Sequence, residues 1–461
     1  MPTSYDVLII GSGQAGNPLA TAFAEAGRSV VLVEENHLGG SCINYGCSPT
    51  KALLAAAERA HQIRTAEEYG IRSTEPEVDF PAVIARKDAL VQRSRQGVRE
   101  NLTQEHAGIT VLHGHAAFTG PRTVQVQLAD KTSREIKAAR IFINTGTRAA
   151  VPELDGLADV PYLTTTELLD LQELPEHLLI LGGGYIGLEF GQMFRRFGSR
   201  VTIVETGRHL LEHEDDDVCA AMQEILEADG LEFVLGAKAH HVSRNAEGII
   251  TLSAHTQQGE RRLRGTHLLI ATGRVPNSDK LGLNTIGVKT DEKGYIQVNN
   301  RLETAAKGVY ALGDIHGGPQ FTHISYDDYR VVRDGLLHRR WRSARQRPLP
   351  YTVFTDPQLG RIGLSEAQAR EQGVRYRVAT MPVRTIGRAR ETGRTRGFWK
   401  VLVDDQDRVI GAAILGAEGG EIMTMFQLVM MGKLKYPQLQ NMVIAHPTWA
   451  EGLNNVFSKL Q

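Results

Sequence analysis

The sequence predicts an α/β protein with two Rossmann-like units followed by a C-terminal α+β domain, and three observations predict it. A short apolar run that opens into a glycine-rich turn and a small-residue helix occurs twice. Each copy continues into a second apolar strand that ends on a glutamate. After the linker Gln-Arg-Pro-Leu-Pro at 346–350 the pattern changes to strands near 351–354, 399–403 and 409–415, with helices from Ser365 and Gly420.

In the first copy the run 5–10 leads into Gly11-Ser12-Gly13-Gln14-Ala15-Gly16, a helical stretch at 19–26, and a strand at 29–33 ending at Glu34. In the second, 178–181 leads into Gly182-Gly183-Gly184-Tyr185-Ile186-Gly187, a helix, and a strand at 200–204 ending at Glu205. The acid stands 23 positions beyond the first glycine in both copies (11 to 34, 182 to 205). Gly11 makes the tight turn, Gly13 lets the backbone approach a pyrophosphate, and Gly16 lets helix pack on strand; Gly182, Gly184 and Gly187 take the same places. The helix N-terminus faces the phosphates, and the strand-end acid can bind a ribose diol. Two such units with equal spacing predict two bound dinucleotides.

Each copy carries a later strand end, Thr145-Gly146 and Thr272-Gly273, preceded by an alternating β excursion at 123–128 and 249–254. Gly313-Asp314 closes the apolar segment 308–312, and a carboxylate there suits the ribityl hydroxyls of a flavin. The expected order is an FAD half at 1–150, an inserted NAD(P) half at 151–275, a return to the FAD half at 276–346 and a final domain at 347–461.

Composition narrows the class. Lys plus Arg number 52 and Asp plus Glu 53, a net charge of −1, so no bulk field draws the chain to nucleic acid or an anionic membrane. No apolar run reaches the roughly 18 residues of a membrane span, and the first strand begins too early for a secretory leader. Three cysteines exclude a disulfide-stapled scaffold and predict a cytoplasmic protein.

The segment 39–51 reads Gly-Gly-Ser-Cys-Ile-Asn-Tyr-Gly-Cys-Ser-Pro-Thr-Lys and precedes an Ala-rich helix. Pro49 fits a first helical position with Ser48 as N-cap, which puts Cys47 at the positive end of a helix, where a thiolate is stabilised. Cys42 lies in a glycine-flanked loop. A zinc reading lacks a second pair of ligands, and no metal site is expected.

With these elements the chain resembles the class I pyridine nucleotide-disulfide oxidoreductases, in particular the branch of mercuric reductase. The resemblance rests on 11–16, 39–51, 182–189, 271–277, 313–314 and 446–451, and runs over essentially the whole chain. It implies a homodimer that binds FAD and NAD(P)H, with the final domain as dimerisation domain. It implies a redox-active Cys42–Cys47 disulfide, with Cys42 as interchange thiol and Cys47 as the thiol against the flavin. Gly40, Ser41, Thr145 and Gly146 join the FAD set, and Gly273 the NAD(P) set. Lys51 would pair with Glu189 beside flavin N5, and Tyr185 would cover the nicotinamide pocket. His446 and Glu451 match the family's proton-transfer dyad, although Thr448 and Glu451 also spell a capping box.

The chain departs from mercuric reductase at its end, 455–461, which has no cysteine pair. The expected function is therefore an NAD(P)H-dependent reductase of a small disulfide or of a soft metal or other oxidant. The alternatives are dihydrolipoamide dehydrogenase, running in the opposite direction, and a flavin-dithiol redox sensor without steady turnover. Glu205 favours NADH over NADPH, since Thr206 and Glu212 stand where arginines would hold a 2′-phosphate; Arg208, with His209 beside it, is the complication, and Arg208 folded over the ribose could admit both. Cys219 is expected to be inert, and Arg384, Arg388 and Arg390 to lie on an exposed strand or loop.

Overall fold

The computed structural model describes residues 3–460, which divide into two compact units: 3–52, 84–150 and 273–347 in one, 53–83, 151–272 and 348–460 in the other. In the first unit the strands Ile109–Gly120, Val30–Glu34, Ser4–Ile10, Ser133–Ile143 and Val309–Ala311 run parallel in that order. Ile9 lies opposite Leu32 on one side and Phe142 on the other, and Phe142 lies opposite Tyr310. The strand Thr123–Leu128 pairs antiparallel with both Ile109–Gly120 and Ser133–Ile143, which makes it the predicted excursion.

The central strand is buried on both faces because its side chains alternate between two apolar layers. Leu8 and Ile10 pack with Phe118 and Val124, while Val7 and Ile9 pack with Leu19 and Phe23 of the helix Gly16–Glu25. Each fully buried side chain of this size contributes about 1.5–3 kcal/mol. This packing fixes the carboxyl ends of the strands, and the glycine turns emerge there.

The second unit repeats the plan with the parallel strands His267–Ile270, His177–Leu181, Arg200–Val204 and Glu232–Val234. Its excursion is an antiparallel sheet of Lys238–Arg244, Ile250–Thr256 and Gly259–Gly265. The same unit holds a five-stranded antiparallel sheet, ordered Tyr351–Val353, Gln358–Gly363, Val409–Gly416, Phe398–Asp404 and Tyr376–Pro382. The helix Gly419–Met431 packs on it through Ile422, Met423 and Phe426, against Trp399 and Ile414.

Two of these strands, Gln358–Gly363 and Tyr376–Pro382, escape the sequence pattern. Gln358–Gly363 contains two glycines and Arg361, which is buried here because it pairs with Glu214 at 3.2 Å. Arg384, Arg388 and Arg390 are exposed as expected, but on two short helices, Val383–Thr385 and Gly387–Glu391, and not on a strand or loop. Pro382 closes the preceding strand, and Val383, Ile386 and Ala389, three residues apart and fully buried, pin a helical face.

Candidate active site

The two glycine turns share one hydrogen-bonding plan. Gly11 (φ +101°) and Gly182 (φ +117°) both have left-handed backbones, and a Cβ would lie 2.3 Å from Asn144 O in one and 2.4 Å from Ala271 O in the other. Only glycine fits. The strand-end acids are not merely solvated: each locks its turn. Glu34 accepts the Ser12 N–H (2.7 Å) and the Asn36 N–H (2.8 Å); Glu205 accepts the Gly183 N–H (2.5 Å) and the Gly207 N–H (2.7 Å). A carboxylate can accept about four hydrogen bonds. Glu34 keeps capacity for both hydroxyls of a ribose diol, whereas Glu205, which also accepts the Thr206 hydroxyl (2.9 Å), keeps capacity for one unless Thr206 turns away. In the first unit the Asn144 side chain ties the turn to its neighbours, accepting the Gly16 N–H (2.9 Å) and donating to Leu312 O (2.7 Å).

Cys42 stands on a one-turn helix, Gly40–Asn44, and not in the expected loop. The Asn44 amide closes that turn by donating to Leu38 O (3.0 Å) and Gly40 O (2.9 Å). Gly40 (φ +64°) packs so tightly on the first glycine turn that a Cβ would lie 2.7 Å from Gly13 Cα. The redox segment and the nucleotide turn are thus one rigid assembly.

The helix predicted to start at Pro49 starts at Cys47, and runs to Arg64. Thr50 N–H donates to Gly46 O (3.1 Å), so Gly46 takes the place expected of Ser48, and Ser48 lies in the first turn. Pro49 still sits where its missing N–H breaks no helical bond. Cys47 is exposed at this N-terminus and Cys42 is half-buried. The Cys42 thiol hydrogen-bonds to Cys47. That bond, then burial, then the charge of Cys47 push the Cys42 thiol well above its ordinary range, against the pull of Thr322 and Lys51.

Thr322 is the residue the sequence reading missed. Its Oγ1 lies 3.2 Å from Cys47 Sγ, at the first position of the helix Thr322–Leu337. The available signal was a threonine behind Phe321: the cap residue has no hydroxyl, so Thr322 is the hydroxyl nearest the helix start.

Tyr185 and Glu189 lie one turn apart on the helix Tyr185–Phe197. Glu189 is buried and accepts the Phe354 N–H at 3.0 Å. His446 Nδ1 contacts Glu451 Oε1 at 2.8 Å, while Glu451 Oε2 accepts the Thr448 N–H at 3.0 Å within a capping box. One carboxylate thus serves as both cap and dyad partner. The His446 side chain is exposed, and its hydrogen bond to Glu451 raises its pKa. Cys219 is buried on the helix Asp216–Ala228, where burial and the acids around it push its thiol up to about 12.

The pyridine nucleotide-disulphide oxidoreductase profile matches residues 5–328, and the dimerisation domain of the same family matches 349–457. The chain belongs to that family. It is 39% identical over 459 residues to the probable pyridine nucleotide-disulfide oxidoreductase RclA of Escherichia coli, covering 98% of this chain and 99% of the other. It is 38% identical over 454 residues to a mercuric reductase of Streptomyces lividans, covering 98% and 95%. The solved structure of the HOCl-induced flavoprotein disulfide reductase RclA from E. coli superposes with a TM-score of 0.89 at 38% identity, over 98% and 99% of the two chains; that protein has also been solved as a Cu(II) complex.

As a pyridine nucleotide-disulphide oxidoreductase the chain is an FAD-dependent enzyme that draws electrons from NAD(P)H and works through a redox-active cysteine pair. Its residues fit both dinucleotides. At Gly146, Gly184 and Gly273 an added Cβ would meet nothing within 4 Å, so each glycine borders open space that a side chain would fill. Asp314 is a half-buried carboxylate with one side-chain hydrogen bond, from Thr147 Oγ1 at 3.2 Å; desolvation raises its pKa, and hydroxyl donors of a ribityl chain would satisfy it. Among the described residues no helix is long and apolar enough to cross a membrane, and no group of three or more His, Cys, Asp or Glu is placed to hold a metal ion.

Proposed function

We propose that this oxidoreductase is a homodimer that prefers NADH and uses Cys42 and Cys47 to reduce a small disulfide or a thiol-bound soft metal ion. The observation that carries the reading is the thiol pair itself: the Cys42 thiol hydrogen-bonds to Cys47, and Cys47 opens an 18-residue helix. When bound, FAD supplies the relay that brings two electrons from the nicotinamide to this pair. Gly11, Gly13, Gly16, Glu34, Gly40, Ser41, Thr145, Gly146 and Asp314 would hold it. Gly182, Gly184, Gly187, Glu205 and Gly273 would hold NADH, with Tyr185 over the nicotinamide and Lys51 and Glu189 at the reactive edge of the flavin.

On the acceptor side the raised Cys42 thiol needs a base, and a His446 oriented by Glu451 is suited to take its proton. The Cys42 thiolate then attacks one sulfur of the acceptor disulfide, releasing a thiolate that receives the proton back. Cys47 attacks the Cys42 sulfur, releases the second thiolate and leaves the Cys42–Cys47 disulfide for the next reduction. Homodimer formation is supported by an exposed apolar stripe, Met425, Leu428 and Met431 at three-residue spacing, with Leu434, Met442 and Val443 also exposed in the dimerisation domain. In the dimer the dyad of one subunit would serve the thiols of the other. The soft-metal arm draws on the mercuric reductase relative and on the Cu(II) complex of the E. coli protein.

The test is a panel of small disulfides, dihydrolipoamide with NAD, Cu(II) without added thiol, and thiol-bound Hg(II), the acceptors each followed through many turnovers with NADH and with NADPH. Sustained oxidation of NADH by a disulfide or a metal–thiol complex supports the proposal. A single reduction without steady turnover would make the protein a sensor, and turnover only with dihydrolipoamide would reverse its direction.

A further inference from the structure

One hydroxyl touches both sulfurs of the redox centre. Thr322 Oγ1 lies 3.2 Å from Cys47 Sγ and hydrogen-bonds the Cys42 thiol as well. It begins the 16-residue helix Thr322–Leu337 behind Phe321, whose side chain makes no cap, so the hydroxyl is directed to sulfur and not to helix N–H groups. The contact joins residues 275 positions apart, both held in the same compact unit. Lys51 is the charged side chain that acts on Cys42 from the other helix.

A threonine hydroxyl has one hydrogen to give, so it can donate to one sulfur at a time. In the dithiol, Cys42 already donates to Cys47 if Cys47 carries the charge; the Thr322 O–H then supplies that thiolate with a second donor. When Cys42 loses its proton, rotation about the Cβ–Oγ1 bond suffices to turn the same hydrogen toward Cys42, because both sulfurs are within reach.

We propose that Thr322 is a catalytic residue of the redox centre: a switchable donor whose hydroxyl holds Cys47 as the thiolate at rest and is turned to Cys42 as that sulfur becomes the nucleophile. This rests on the thiol roles proposed above, and deepens them by adding a third group that contacts the reacting atoms.

The test uses flavin-loaded enzyme reduced with dithiothreitol in the absence of air. Its alkylation by iodoacetamide is followed against pH, and peptide mass mapping separates Cys47 from Cys42. Thr322→Val removes the hydroxyl and keeps the branched shape; Thr322→Ser keeps the hydroxyl. Losing a hydrogen bond to a charged sulfur should raise the Cys47 midpoint by about one to two pH units in T322V, with T322S close to wild type. If T322V loses its flavin, T322A is read in its place against the same T322S control. An unchanged midpoint in T322V, or an equal rise in T322S, overturns the proposal. Turnover of the acceptor panel by wild type is measured separately: its failure refutes the proposed function while leaving the alkylation shift, and hence the role of Thr322, independently decided.

Discussion

Replacing Glu205 with glutamine should change which nicotinamide cofactor the enzyme prefers, and the structure supplies the size of the effect. The carboxylate cannot swing away from a bound adenosine ribose, because it accepts the Gly183 and Gly207 N–H groups (2.5 and 2.7 Å) and the Thr206 hydroxyl (2.9 Å). A second carboxylate, Glu212, sits close enough to Gly207 that an added Cβ there would meet its Oε1 at 2.6 Å. One unit charge facing another at about 5 Å is worth about 1–3 kcal/mol between the dielectric limits of water and a protein surface. Glu205 is half-buried, so solvent and salt leave about 1–2 kcal/mol, roughly 5- to 30-fold in kcat/KM. Wild type should therefore favour NADH, and E205Q should narrow the NADH to NADPH ratio by that factor, chiefly through the KM for NADPH. Arg208 opposes the effect: it is exposed, and with Arg261 and Gln258 it lines a cavity of about 520 Å³ at the ends of Glu232–Val234 and Ile250–Thr256. Removing it by Arg208→Ala should weaken NADPH further. Steady-state kcat/KM for both cofactors at saturating acceptor decides the matter. A clear NADPH advantage in wild type that persists in R208A would refute the reasoning from Glu205.

Three further outcomes are expected. His446 has its pKa raised above 6.5 by Glu451, so as a base it works only above that raised value, and acceptor reduction should fall as pH drops through it. In Glu451→Gln the acidic limb of kcat/KM should move down in pH toward the ordinary histidine value, with a lower plateau; a limb that stays in place would remove His446 from proton transfer. Gly16→Ala would bring a Cβ to 2.3 Å from Gly11 O, a backbone clash of about 1–3 kcal/mol at the turn that would hold FAD. The purified variant should carry less flavin per chain than wild type, and full flavin content would contradict the cradle. Charging the exposed stripe by Leu428→Glu with Met431→Glu should yield monomers in sedimentation velocity and abolish acceptor reduction; fully active monomers would be incompatible with a dyad shared across a dimer.

What was legible in the sequence and what was not follow from the kind of constraint each residue answers. The glycines of both turns could be read because a Cβ at Gly11 or Gly182 collides with backbone, and a backbone collision leaves no freedom of residue choice. The capping box at 448–451 could be read for a similar reason, since it closes over three residues. The start of the redox helix was misplaced by two residues because Ser48-Pro49 is a sound local signal that tertiary context overrides: Gly46 packs where its Cβ would come 3.0 Å from Ser41 O, and winds the first turn from Cys47. Arg361 was illegible as a strand residue because its burial depends on Glu214, 147 positions away. Thr322 depends on a contact between residues still further apart in the chain, with no periodic pattern to announce it. The identity of the acceptor belongs to the same class as Thr322. Holding two dinucleotides and a thiol pair demands particular backbone shapes, which restrict residue types one position at a time. Recognising an acceptor beside Cys42 and an exposed His446 demands only side chains around them, where many residues satisfy the backbone equally well. Arg384, Arg388 and Arg390 illustrate the difference: the buried Val383, Ile386 and Ala389 determine that short helices form there, and place no restriction on what the arginines between them meet.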